Sequence, residues 1–135
     1  MLQQTLSIIK PDAVERNIIG KIIDIFEKNN LRIKNLKKIH LTENEVASFY
    51  EVHKDKKFFK DLCTYMCSGP VVVMVLEGND AVNKNREIMG STNPKEAKKG
   101  TLRNLFAISI EKNSVHGSDS IENAKKEISF FFSKN

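Results

Sequence analysis

The chain has 135 residues, 40% hydrophobic and 29% charged, a size and balance that suit a single domain over residues 1–135 with a real core and leave no room for a second one. Its formal charge of +5 and pI near 9.2 make polyanions candidate partners, nucleotides or nucleic acid, without choosing between them. The longest purely apolar run is residues 71–76 and the N-terminus lacks a basic stretch followed by an apolar one, so neither a membrane span nor a secretion signal is expected.

Thr5-Leu6-Ser7-Ile8-Ile9-Lys10 is rich in strand formers and stopped by Pro11, which puts Lys10 at a strand end, where its side chain can reach into a site. Ile19, Ile22, Ile23 and Phe26 then follow helical spacing up to Asn29-Asn30. Residues 31–41 read as a strand whose apolar phase changes near residues 34–36, the mark of a bulge or twist. His40 on that strand is expected to be structural or exposed. Thr42-Glu43-Asn44-Glu45 has capping-box spacing and opens a short helix through Tyr50. His53, among lysines, is expected in solvent.

Phe58, Phe59, Leu62, Tyr65 and Met66 outline a further amphipathic helix ended by Ser68-Gly69-Pro70. It carries Cys63 and Cys67 four apart, a spacing that suits reduced cysteines of a cytoplasmic protein better than a disulfide or a zinc site. Residues 71–76 are too apolar for a half-exposed strand and should lie centrally, covered on both faces. Asn79-Asp80 can cap a helix to about Met89 that carries Arg86. Residues 90–113 show no sustained period, and so long a loop in a small domain is usually functional. Ile121, Ala124, Ile128 and Phe131 with Phe132 form the stripe of a last helix, with Asp119 and Glu122 at capping-box spacing. The order fits an α/β (α+β) fold, a ferredoxin-like split β-α-β with a four-stranded antiparallel sheet covered by helices.

The stretch at residues 113–120, Asn-Ser-Val-His-Gly-Ser-Asp-Ser, concentrates chemistry. A neutral imidazole such as that of His116 is a competent nucleophile when one ring nitrogen is held by a partner and the other faces the substrate. Gly117, lacking Cβ, would let a bulky substrate approach the backbone, and Ser118, Asp119 and Ser120 offer cap oxygens for the next helix. Neither G-x-x-x-x-G-K-[ST] nor G-x-G-x-x-G occurs, so phosphate would be held by side chains and a helix start. Lys10, Arg86, Thr92 and Arg103, at element ends or in the long loop, are the candidates.

Asn-x-x-His-Gly-Ser-Asp-Ser resembles the active-site signature of nucleoside diphosphate kinases. Ser7-Ile8-Ile9-Lys10-Pro11-Asp12, Phe58-Phe59, Ser68-Gly69-Pro70-Val71-Val72, and Gly90-Ser91-Thr92-Asn93-Pro94 with Gly100-Thr101-Leu102-Arg103 resemble further stretches of that family in the same order. The resemblance covers residues 6–132. It implies a ping-pong transfer in which His116 takes the γ-phosphate of a nucleoside triphosphate, mainly ATP, as phosphohistidine and passes it to another nucleoside diphosphate, maintaining NTP and dNTP pools. It further implies that Mg²⁺ rides on substrate phosphates and waters with no metal ligands from the protein, and that Arg86, Arg103 and Thr92 neutralise the phosphates. By motif position Phe58 stacks on the base with Leu62 and Ile110 beside it, Lys10 and Asn113 hold the ribose hydroxyls, Tyr50 sits beside His116, and Glu127, supported by Ser118, orients the imidazole. A stacking contact accepts any base.

Lys57 and Lys99 stand where the family often has proline, and Leu105 where an acidic residue is common; none is a phosphate-binding position. The chain ends soon after Phe132 without the longer eukaryotic tail, so the resemblance implies a bacterial-type form, a homo-oligomer, tetramer or hexamer, that needs neither membrane nor nucleic acid. Two other readings remain on residues alone. A basic nucleic-acid-binding module on the same fold would cluster aromatics on its central strands. A regulatory phosphohistidine carrier would use His116 without binding nucleotide, and would give Lys10, Phe58, Arg86 and Asn113 no common purpose.

Overall fold

The computed structural model describes residues 2–110 and 112–132, so residues 1, 111 and 133–135 of the expected domain lie outside the described residues. Strand β1 spans Leu2–Ile9, and Lys10 stands at its end, as expected. Pro11 opens helix α1, Pro11–Glu15, at a position where the absent N–H costs nothing. Helix α2 spans Ile19–Lys28, with Ile22 and Phe26 buried on its apolar face. Strand β2, Arg32–Ile39, has its register irregularity between Ile33 and Asn35, where the phase change predicted one.

Helix α3, Glu43–Phe49, begins at the expected capping box: the Glu45 N–H donates to Thr42 Oγ1 at 3.1 Å and the Thr42 N–H to Glu45 Oε1 at 2.9 Å. A 3-10 turn at Glu51–His53 leads to α4, Phe59–Met66. Strand β3, Val71–Asn79, precedes α5, Ala81–Met89, and α6, Leu102–Phe106. Strand β4, Val115–Gly117, and α7, Ile121–Phe132, complete the described chain.

The strands form one sheet in the order β2-β3-β1-β4, every neighbouring pair antiparallel. This is the ferredoxin-like arrangement the element order predicted. Because strand side chains alternate between faces, β1 and β3 feed two cores. Ile9, Val72, Met74 and Leu76 pack with Ile22, Phe26, Ala81 and Met89 on one face; Leu6, Ile8, Val71 and Val73 pack with Val46, Met66 and Phe131 on the other. Residues 71–76 are indeed buried on both faces. No aromatic residue lies on β1 or β3, so the platform required by the nucleic-acid reading is missing.

Four local expectations change. Helices α1 and α6 were not predicted, since five residues are too few to reveal a period. Asp80 occupies the cap position of α5 but is left-handed, φ 52°, and its side chain makes no cap bond; the Val82 N–H is taken instead by Gln3 Oε1 at 3.3 Å. Helix α7 is capped by Ser120, whose Oγ accepts from the Asn123 N–H at 3.0 Å, while Asp119 bonds the Asn123 amide at 2.6 Å. His53 is half-buried, held among rings by the turn that follows α3. His40 is exposed, its Nε2 2.7 Å from the Cys67 carbonyl oxygen, and both cysteines are free.

Candidate active site

His116 lies in the middle of β4, opposite Ile8 of β1. Alternation sends Val115 and Gly117 toward α5 and leaves the imidazole on the face covered by α3 and α7. There Nε2 stands 3.1 Å from Glu127 Oε1. The Ser118 hydroxyl donates to the same carboxylate oxygen at 2.7 Å and accepts the Leu6 N–H at 3.2 Å, while the Ser118 N–H donates to the Leu6 carbonyl at 3.2 Å. A backbone amide of the central strand thus anchors a hydroxyl, the hydroxyl anchors a carboxylate, and the carboxylate anchors the ring.

Two rings fix the imidazole sterically. Phe49 meets it edge-on with centroids 5.4 Å apart, and Tyr50 does so at 6.1 Å. Burial, with the nearby Glu127 and Cys63 charges, pushes the Tyr50 phenol well above its ordinary range, and the buried hydroxyl has no partner among the described residues. The His116 and Glu127 side chains keep about a fifth of their surface, 19% and 21%, so a substrate can reach the ring.

Beside this cluster a cavity of about 400 Å³ is lined by Lys10, Phe58, Asp61, Leu62, Tyr65, Thr92 and Ile110. Phe58, at the start of α4, keeps 48% of its surface, which leaves a ring face free to stack on a flat group. Thr92 also lines an open cleft with Arg86, Gly90, Ser91 and Arg103. Arg103 donates through Nη1 to the Gly90 carbonyl at 3.0 Å and through Nη2 to the Val115 carbonyl at 2.9 Å, which ties α6 to the residue before His116. Its buried Nε has no partner among the described residues. Lys10 Nζ donates to Asn113 Oδ1 at 2.9 Å.

The electrostatics favour an anion. Burial and the charge of Arg86 pull the Arg103 guanidinium down to about 10. Burial, then Arg103, lowers the Lys10 ammonium to about 8 against the opposing pull of Asp12. Arg86 thus disfavours the charge of Arg103, and Arg103 that of Lys10; Asp80 and Glu87 line the same cleft but pair with neither arginine among the described ion pairs, so a polyanion would relieve the crowded cations.

The family model for nucleoside diphosphate kinase matches residues 3–135. The chain belongs to the nucleoside diphosphate kinase family. A nucleoside diphosphate kinase of a Nitratiruptor species is 68% identical over 133 residues, covering 98% of this chain and 97% of its own length. The Helicobacter hepaticus relative is 66% identical, with 98% and 96% covered. Among solved structures, the Aquifex aeolicus nucleoside diphosphate kinase superposes with a TM-score of 0.96 at 44% identity, covering 98% of this chain and 96% of its own. As a member of this family the chain is a phosphotransferase working between nucleoside triphosphates and diphosphates. The nucleic-acid module is not favoured.

The family's expected site residues fall into two connected groups. His116, Glu127, Ser118 and Tyr50 form the first; Lys10, Phe58, Leu62, Thr92 and Ile110 share the cavity, with Arg86, Arg103 and Asn113 at its margins. Gly117 needs a different explanation from the one its position suggested. A Cβ there would lie 2.4 Å from Asn85 Nδ2 and 2.6 Å from Met89 Cε, so the missing side chain admits helix α5, not substrate. Sequence reasoning also missed Phe49, His53 and the set Asp12, Arg16, Tyr65 and Ser114. His53 lies against both Tyr50 and Phe58, centroids 6.4 and 5.7 Å away, with Nδ1 buried and unpartnered among the described residues. The i, i+4 spacing of Asp12 and Arg16 was the one signal available for that last set.

Proposed function

We propose that this chain runs its phosphoryl transfer through a phosphohistidine on Nδ1 of His116. The observation that carries this reading is the 3.1 Å contact of Nε2 with Glu127. With Nε2–H donating to the carboxylate, the Nδ1 lone pair is the free nucleophile. As Nδ1 bonds to the γ-phosphorus, the bond from phosphorus to the β-bridging oxygen breaks and a nucleoside diphosphate leaves. The ring gains positive charge, and Glu127 offsets it through Nε2–H. In the second half-reaction a β-phosphate oxygen of the acceptor attacks the same phosphorus and the N–P bond breaks, which restores the neutral ring.

Phe58 stacks on the base with Leu62 and Ile110 closing the slot, and Lys10 with Asn113 holds the ribose hydroxyls. Arg86, Thr92 and Arg103 meet the phosphates, where fixed positive charge supports the transferring group. In this reading magnesium arrives with the nucleotide, whose phosphates and waters supply most of its ligands. That ion supplies charge neutralisation on the phosphates. The reading extends to one domain over residues 1–135, ATP as main donor, and a homo-oligomeric tetramer or hexamer; the exposed Leu36 on edge strand β2 supports assembly. The reading also places the protein in the cytoplasm; no helix among the described residues is long and apolar enough to cross a membrane.

The test is incubation with γ-labelled ATP and magnesium. The expected product carries an acid-labile, base-stable phosphate on His116 that chases into added nucleoside diphosphate. A folded protein that takes no label, or a His116→Ala variant that still does, would overturn the reading.

A further inference from the structure

Ser114 is fully buried and left-handed, φ 72°, a conformation that costs a non-glycine residue energy. The Val115 N–H donates back to the Asn113 carbonyl at 2.9 Å, so residues 113–115 form a γ-turn with Ser114 at its tip. The turn reverses the chain just before β4. It lets the Ser114 carbonyl accept the Lys10 N–H at 2.9 Å while the Asn113 amide faces Lys10 Nζ. A glycine would meet the backbone demand without strain. The serine hydroxyl has a further use: it donates to Asp12 Oδ2 at 2.8 Å and accepts from Arg16 Nη2 at 3.1 Å.

Both partners reach further. Arg16 Nη2 also approaches Asp12 Oδ2 at 3.1 Å and the Phe106 carbonyl at 2.6 Å, at the end of α6. The other carboxylate oxygen of Asp12 accepts the Tyr65 hydroxyl, and the Asp12 N–H donates back to the Tyr65 hydroxyl oxygen at 3.1 Å. Tyr65 belongs to α4 and lines the same cavity as Phe58, Leu62 and Lys10. One hydroxyl therefore joins the turn carrying Asn113 to the wall carrying the stacking ring.

We propose that Ser114 is a positioning residue for nucleotide binding, its hydroxyl fixing through Asp12 and Arg16 the turn that sets Asn113 and Lys10 for the ribose hydroxyls. The proposal rests on the reading of Lys10 and Asn113 as ribose contacts. Loss of the hydroxyl loosens that pair and leaves His116, which is anchored separately through Glu127 and Ser118, in place.

The experiment compares GDP and 2′,3′-dideoxy-GDP as acceptors in the full-length wild type, Ser114→Ala and Ser114→Gly, with thermal melting alongside. In Ser114→Ala, kcat/KM for GDP is expected to fall about tenfold, mostly through KM. The dideoxy acceptor, with no hydroxyls to lose, should fall less than twofold, so the wild-type preference for GDP shrinks. Ser114→Gly relieves the left-handed strain yet lacks the hydroxyl; it should show the same loss of preference, and it carries the test if the alanine variant does not fold. Equal falls on both acceptors, or an undiminished preference, would overturn the role of Ser114. A wild type without any preference would overturn the ribose reading beneath it.

Discussion

Nε2 of His116 and Oε1 of Glu127 lie 3.1 Å apart, and the same oxygen takes the Ser118 hydroxyl at 2.7 Å. The carboxylate is therefore held before the imidazole is, and the ring has one orientation to adopt. Glu127→Gln keeps the shape and removes the charge. A hydrogen bond to a charged group contributes about 1.5–3 kcal/mol, so the rate of His116 phosphorylation should fall roughly 10- to 150-fold. Nucleotide affinity should change little, because Glu127 is outside the base slot. Rapid-quench phosphorylation together with equilibrium binding separates the two; an unchanged rate would make Glu127 an ordinary helix residue.

Phe58 lines the cavity and keeps about half of its surface exposed. Base stacking on an aromatic ring is worth about 1–3 kcal/mol, and Phe58→Ala should raise KM roughly 5- to 150-fold with a smaller effect on phosphorylation at saturating nucleotide. Purine and pyrimidine substrates should both suffer. A loss confined to one base class would mean that base edges are read by other groups.

Lys10 links the site to stability. Its ammonium sits at about 8 in the fold against an ordinary 10.5, so between these values the unfolded chain holds more protons and stability rises with pH. Relative to Lys10→Met, the wild type should gain about 2 kcal/mol between pH 7.5 and 9.5. Denaturant titrations at both pH values measure this. Above pH 10 Tyr50 and Tyr65, both pushed upward by burial, act in the opposite sense, so the comparison belongs below it.

Gly117→Ala should destabilise the protein, since the new methyl would overlap Asn85 and Met89. Overpacking of this kind costs about 1–3 kcal/mol. Adding Met89→Ala removes one of the two clashes, and the double variant should lose less stability than the sum of the losses in Gly117→Ala and Met89→Ala. Independent, additive losses would mean that the contact with α5 is not what excludes a side chain at residue 117.

Elements with local causes were legible. The period of α2, the Thr42–Glu45 reciprocal cap, the doubly buried run at residues 71–76 and the irregularity in β2 each depend on neighbours a few residues away, and each was read correctly. Helices α1 and α6 were too short to show a period. What escaped the sequence was pairing across it: Ser114 and Asp12 are separated by 102 positions, and nothing near either announces the other. His53 looked like one polar residue among lysines because the rings that enclose it arrive through the turn after α3. Gly117 was assigned to the wrong neighbour for the same reason, as the helix filling its space begins more than thirty positions earlier. The motif residues were read through family resemblance, and the geometry added how they are held.

Strand β4 has three residues, and only the middle one faces Glu127. A slip of one position along β1 would turn the imidazole toward α5 and bring Val115 or Gly117 to the carboxylate, since strand faces exchange with every residue. A single-residue insertion between the γ-turn and Ser118 would therefore preserve every side chain named here and still disarm the protein.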